Sequence, residues 1–454
     1  MQNTKKTMIK TIELFAGVGG FRIGLEGWKG KSASSNFRKH LKSNFTVKWS
    51  NQFEPSTKIQ HANLVYKNNW PNSNHSEENI EDVVENKFKS IPDHDLLVGG
   101  FPCQDYSVAK PLSNSKGLVG EKGVLWWSIY NILRKKGAKK PKYLFLENVD
   151  RLLLSGGNQK GKDFAVILSC LYKLGYAVEW RVINAADYGM PQRRRRVYLI
   201  AYHKKSNIFK EINSSDISSI IGSESIMAKA FPVKIHSEIF SGKISKSFDI
   251  VSNEFNLNGK SSPFQNSGIM INGNFHTTKS KAYYNGEYKK LEDIITKKDV
   301  EDKFYISKNE KVAEKVIEQI DGSLISIKTV LDKWKYLKGR KNQWKVNSFG
   351  IKYKYNEGNM IFPDCTDKPS RTIVTAEGGK SPSRSKHVIE TIDGRYRRLT
   401  PIELEKLNMF PENHTLLNNI TDKKRAFFMG NALVIGVIEK IGLELSKRHI
   451  KLNS

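Results

Sequence analysis

The chain has 454 residues, 38% of them hydrophobic, enough for a sizeable buried core spread over two or three domains and too many for wholesale disorder. Its 75 Lys and Arg against 46 Asp and Glu leave a net charge of +29, so a polyanionic partner is expected, nucleic acid before an anionic membrane surface. Apolar runs are short, and the three cysteines (Cys103, Cys170 and Cys365) are widely separated, which excludes a spanning helix, a disulfide framework and a cysteine-rich zinc site. No apolar stretch precedes Glu13, so no signal peptide is evident and a reducing cytoplasm is the expected setting.

In chain order, apolar runs at 10–14, 46–50, 95–100, 142–147, 178–183 and 196–202 predict buried strands. Patterns such as VLWWSIYNILRKKG and KDFAVILSCLYKLG between them predict amphipathic helices. Strands alternating with helices predict an α/β fold with a doubly wound, mainly parallel sheet, whose ligands bind beyond the C-terminal strand ends. The reading places a first domain over 1–205 and an irregular Ser/Asn/Lys-rich domain over 206–395. A return segment, 396–454, ends in a helix that completes the first domain.

Residues at the strand ends carry the chemistry. Phe15-Ala16-Gly17-Val18-Gly19-Gly20-Phe21 follows the first strand, and such glycines admit a ligand close to backbone at a helix N-terminus. Arg22 stands where a dinucleotide fingerprint needs its third glycine, so an NAD or flavin reading fails. Phe101-Pro102-Cys103-Gln104 follows the strand DLLVGG and offers a thiol at the same edge. Glu147-Asn148 ends another strand. In Arg193-Arg194-Arg195-Arg196, extended geometry puts Arg194 and Arg196 on one face. Each feature alone has an ordinary alternative: a tight turn, a buried thiol, a solvated carboxylate, a surface basic patch.

Taken together, LFAGVGGFRIGLE, GGFPCQDYSVA, ENVDRLL, GMPQRRRRVYLI, PSRTIVTAEGG and GNALVIGVIE resemble, in order, the motifs of the DNA (cytosine-5) methyltransferases of restriction-modification type. The resemblance covers about 10–205 and 365–447. It implies a Rossmann-like fold dependent on S-adenosylmethionine, with no metal. It implies Cys103 as nucleophile toward cytosine C6, Glu147 at N3 and the N4 amine, and Arg194 and Arg196 holding O2 and the cysteine region. Cofactor contacts would come from Phe15, Ala16, Gly17, Gly19, Gly20, Phe21, Gln52, Phe53, Asn79, Pro102, Leu125 and Asn431. Gln52 and Asn79 depart from the family pattern, which usually has Glu and Asp there.

Residues 206 to about 364 fall where this family keeps its target-recognition region. Within them the stretch 333–355 has eight Lys or Arg, six aromatics and no Asp or Glu, a composition suited to phosphate contact and base stacking, and equally to a solvated surface. The expected partner is double-stranded DNA, bound by a bacterial, cytoplasmic monomer beside a separate cognate endonuclease. An RNA cytosine-5 methyltransferase and a non-catalytic DNA-binding relative are the alternatives.

Overall fold

The structure is a computed structural model that describes residues 8–27, 44–101, 125–297 and 300–453. Its first seven strands are β1 (Ile9–Leu14), β2 (Phe45–Asn51), β3 (His75–Ser76), β4 (Leu96–Gly100), β5 (Tyr143–Val149), β6 (Tyr176–Asn184) and β7 (Arg195–His203). They lie side by side in the order 3-2-1-4-5-7-6. Neighbours from β3 through β5 pair in parallel, and β7 enters antiparallel between β5 and β6. Six of the seven therefore point one way, and the doubly wound α/β sheet read from the sequence is the one observed.

Alternate side chains of each strand reach opposite faces, as the two-residue period requires. Leu96, Val98, Tyr143 and Phe145 enter one core, whereas Leu97, Leu144 and Leu146 enter the other. The first core is closed by α1 (Gly20–Glu26), α2 (His61–Asn69) and the C-terminal helix Ile435–Asn453. The second is closed by α3 (Ile80–Asn86), α4 (Trp126–Lys135) and α5 (Lys162–Lys173). With both faces covered, the central strands are apolar throughout rather than alternating.

The sheet does not stop at residue 205. Strands Ser267–Ile271, Asn274–Thr278 and Phe240–Lys243 extend it antiparallel from β6, giving ten strands. Asn272 and Gly273 link the first two with φ of 51° and 83°, a two-residue turn that needs no crossover helix. Two separate ribbons follow, Lys311–Glu318 with Leu324–Thr329 and Lys341–Val346 with Lys352–Glu357. The basic stretch 333–355 is thus mixed in character. Lys338 is fully buried against Asp364, and Lys341 is buried against Glu357, so neither is a free surface cation. Among the described residues no single helix is long and apolar enough to cross a membrane.

Candidate active site

Successive crossovers run one way from β1 through β2 to β3 and the other way from β4 to β5, so the sheet has a switch point between β1 and β4. A cavity of about 700 Å³ opens beyond the strand ends there, as expected for a doubly wound sheet. Because β7 is antiparallel, its start lies beside the ends of its neighbours. Val149 faces Arg196 and Glu147 faces Tyr198 in the register, so Arg196 and Glu147 are diagonal neighbours on one sheet face. Their side chains meet, Arg196 Nε lying 3.1 Å from Glu147 Oε1, with both largely shielded from solvent. Gly100 is level with Glu147 on β4, and a Cβ there would fall 3.1 Å from the carboxylate; glycine leaves it room.

The glycine turn forms the opposite wall. Phe15 and Gly17 have φ of 54° and 55°, and a Cβ at Gly17 would meet nothing but cavity space. The Gly17 N–H donates to Gln52 Oε1 at 2.8 Å, so the amide that stands in place of the family's carboxylate fastens the turn. Gly19 does not line the cavity; a side chain there would strike the Trp70 ring. Phe21 contributes to the cavity floor mostly from within the core, its ring edge-on to Phe145 at 5.2 Å. Asn79 caps α3, its Oδ1 accepting from Glu81 N–H at 3.1 Å, and also lines the cavity. Ala16, Gly20, Phe53, Leu125 and Asn431 lie in its wall as well.

Arg194 and Arg196 both line the cavity, whereas Arg193 and Arg195 are exposed and Arg195 pairs with Asp150 at 2.9 Å. Arg194 is buried and donates to the Ile373 carbonyl at 3.1 Å and the Gly430 carbonyl at 2.9 Å, joining the β7 lead-in to the C-terminal segments. Burial, with Arg196 beside it, pushes its guanidinium down to about 9. Cys103 and Pro102 lie outside the described residues. The backbone leading to them is held: buried Asn148 donates to the Phe101 carbonyl at 3.0 Å.

The cavity also takes Ile80, Thr375, Phe410, Phe427 and Phe428, to which the sequence reading gave no role. Thr375 lies inside the PSRTIVTAEGG motif, so its signal was present. The phenylalanines come from segments whose only cue was their proximity to GNALVI. Among the described residues no cluster of His, Cys, Asp and Glu suits a metal ion.

The sequence profile of the C-5 cytosine-specific DNA methylases matches residues 9–447, nearly the whole chain. The chain belongs to this family. The methylase is 41% identical over 442 residues to the Type II methyltransferase M.Sau3AI of Staphylococcus aureus, covering 97% of this chain and 96% of that one. It is 32% identical over 208 residues to M.HhaI of Haemophilus parahaemolyticus, covering 46% and 53% of the two chains. It is thus a DNA (cytosine-5-)-methyltransferase of restriction-modification type, and DNA is its substrate. Its fold is similar to that of DNMT2 from Spodoptera frugiperda, with a TM-score of 0.55 at 15% identity over 96% of this chain and 99% of that one.

Proposed function

We propose that the methylase takes its methyl group from S-adenosylmethionine and places it on C5 of a cytosine flipped out of a short, specific duplex site, through a covalent bond from Cys103 to C6. The observation that carries this is a single cavity. The glycine turn, the Glu147–Arg196 pair and Arg194 all line it, and Asn148 ties its rim to the residue preceding Pro102-Cys103. The residues fit the donor: the open space at Gly17 admits a ligand against backbone, and Gln52, Asn79 and Asn431 offer amides along the wall. When bound, S-adenosylmethionine supplies an electrophilic methyl group.

The protein's own groups do the rest. Cytosine C5 is a poor nucleophile until electrons enter the ring. The Cys103 thiolate adds to C6, making C5 an enamine carbon that can take the methyl group. Glu147 accepts from the N4 amine and stabilises charge developing at N3, while Arg196 holds O2. Loss of the C5 proton then lets the C6–S bond break, returning the thiolate. The ring faces are stacked in a duplex, so the base must leave it first. The 41% relationship to a Type II methyltransferase favours duplex DNA over RNA as the substrate. The protein acts as a monomer in a bacterial cytoplasm, protecting host DNA from a separate cognate endonuclease.

The test is DNA carrying 5-fluorocytosine at the target base. Fluorine cannot leave as a cation, so a denaturation-resistant complex should accumulate only with S-adenosylmethionine present. Cys103→Ser should abolish it. Cys170→Ser should leave it intact, because Cys170 is fully buried and burial pushes its thiol up to about 12. Glu147→Gln should slow trapping strongly while sparing DNA binding, since the charge matters most once the ring is activated. An adduct that forms equally well in Cys103→Ser would remove the nucleophile and the site reading with it.

A further inference from the structure

We propose that Glu377 is a positioning residue for methyl transfer: through His387 and Ser370 it fixes the turn that holds Thr375 against Gly430, and so sets the wall that Asn431 offers to the cofactor. This deepens the proposed function and rests on S-adenosylmethionine as the donor. Glu377, His387 and Ser370 are all buried and stand in a line. The His387 N–H donates to Glu377 Oε2 at 2.9 Å, and His387 Nδ1 lies 2.7 Å from Glu377 Oε1. On the other side of the ring, Nε2 lies 3.0 Å from Ser370 Oγ. The stretch 370–387 is thereby tied together at its start, its middle and its end.

Both ends are also fixed from outside. The Ser370 N–H donates to the Pro191 carbonyl, and the Ser370 carbonyl accepts from the Arg193 N–H, each at 2.8 Å. Beside His387, the Val388 N–H donates to Asp364 Oδ2 at 2.9 Å. Glu377, between them, is pinned to both. A buried Glu–His pair is a weak source of stability beside an apolar pair of the same volume. What it adds is direction, because one residue bonds both carboxylate oxygens and sets where the turn ends.

The turn reaches the cavity by contact. Thr375–Glu377 is a single turn of 3-10 helix; Glu377 is buried, whereas Thr375 and Ala376 are exposed and Thr375 lines the cavity. The turn touches the helix Asp422–Asn431 twice, backbone to backbone. A Cβ on Gly378 would fall 2.7 Å from Lys423 Cα, and one on Gly430 would fall 2.3 Å from the Thr375 nitrogen. Packing this close transmits displacement, so a turn that moves must move Gly430. Gly430 opens the segment whose Asn431, Ala432 and Leu433 line the cavity. Leu433 in turn packs on the glycine turn, where a Cβ on Gly20 would meet it at 3.1 Å.

The experiment uses the full-length protein, with calorimetry for S-adenosylmethionine, kcat and KM for methyl transfer to sheared genomic DNA, and urea midpoints. Glu377→Ala should raise the Kd and KM for S-adenosylmethionine by about tenfold with kcat little changed, as lost positioning of a binding wall requires. Glu377→Gln should restore both. Its amide oxygen can accept from the His387 N–H, and its amide nitrogen can donate to Nδ1 of the other imidazole tautomer, which donates from Nε2 to Ser370. Gly430→Ala pushes the turn from the opposite side with the bonded chain intact, and should raise Kd and KM as Glu377→Ala does. Ser370→Ala removes only the last link and should raise them about threefold; it decides the matter if Glu377→Ala does not fold. A merely structural role lowers the urea midpoint, and kcat with the folded fraction, while Kd and KM stay at wild-type values in Glu377→Ala and Ser370→Ala. That result would overturn the proposal, as would binding by Glu377→Gln as weak as by Glu377→Ala. Wild-type protein that binds no S-adenosylmethionine would instead overturn the donor reading, and this inference with it.

Discussion

Arg194 and Arg196 share a strand face two residues apart and do different work. Arg196 meets Glu147 in the cavity, whereas Arg194 is spent on two carbonyls of distant segments, 179 and 236 positions along the chain. At neutral pH a guanidinium pushed down to about 9 is still charged, so both are charge-assisted bonds in a buried place. Arg194→Met should orphan both carbonyls and lower stability by about 3 kcal/mol, read from urea midpoints. Arg196→Met, whose partner sits at a cavity wall, should abolish adduct formation with a much smaller stability loss. The opposite pattern would exchange the two assignments. The alternation that pairs these arginines was legible in the run of four. Which of them ties the chain together was not, because its acceptors are backbone carbonyls and carry no side-chain signal. Gln52 is similar: the amide was visible, but its bond to the Gly17 N–H is a matter of how two strand ends meet.

At the scale of elements, the strands with long apolar runs were legible, and the helices with clear periodicity were too. β3 was not, being two residues long, and the strands of 240–278 were missed although Asn272-Gly273 is a strong hairpin signal. What periodicity cannot reveal is how β1, α1 and α2 share buried charge. Glu13 on β1 is fully buried, accepting from Tyr66 O–H at 3.0 Å and from Arg22 N–H at 3.3 Å. Arg22 in turn bonds Glu26 at 2.8 Å and lies 4.9 Å from the Trp70 ring. Burial outweighs Arg22 and Tyr66 and raises Glu13 from 4.5 to about 7. The fold therefore binds this proton better than the unfolded chain does. Its contribution is full below pH 4.5 and is lost as pH rises through 7. Relative to wild type, Glu13→Gln should gain about 3 kcal/mol between those limits. His75, stacked on Tyr66 at 4.3 Å and held by burial at about 4, gives the opposite slope between 6.5 and 4 and masks the effect in wild type alone. Urea midpoints of the two proteins across pH isolate it. A difference that stays flat with pH would mean Glu13 is ionised in the fold.

At the scale of the molecule, the order of the motifs showed that two stretches far apart in sequence serve one unit, but not how they are joined. The joints are specific contacts. Gln192 donates to Asn408 Oδ1 at 2.8 Å and to the Leu407 carbonyl at 3.2 Å; His414 Nε2 lies 2.7 Å from the Val18 carbonyl; Tyr143 Oη lies 3.0 Å from His449 Nδ1. Gly24 on α1 meets the C-terminal helix so closely that a Cβ would fall 2.7 Å from Ile438. Nor could composition reveal that the sheet continues past 205, since its added strands are short and polar at their ends. A chain cut to residues 1–205 loses the helix over one sheet face, the strands beside β6, and the cavity wall containing Thr375, Phe428 and Asn431. It should unfold without a cooperative transition and fail to bind S-adenosylmethionine by calorimetry. Removing the ribbon instead, by closing Lys341 to Glu357 with a short glycine turn, takes away no core residue beyond Gln343, and the cross-strand pair at its base already holds the ends together. That protein should keep its cooperative transition and its cofactor binding while its DNA affinity falls. Cofactor binding by the 1–205 fragment would show that the C-terminal segment merely covers the site; its loss in the ribbon deletion would show that the outer ribbon supports the fold rather than serving the DNA.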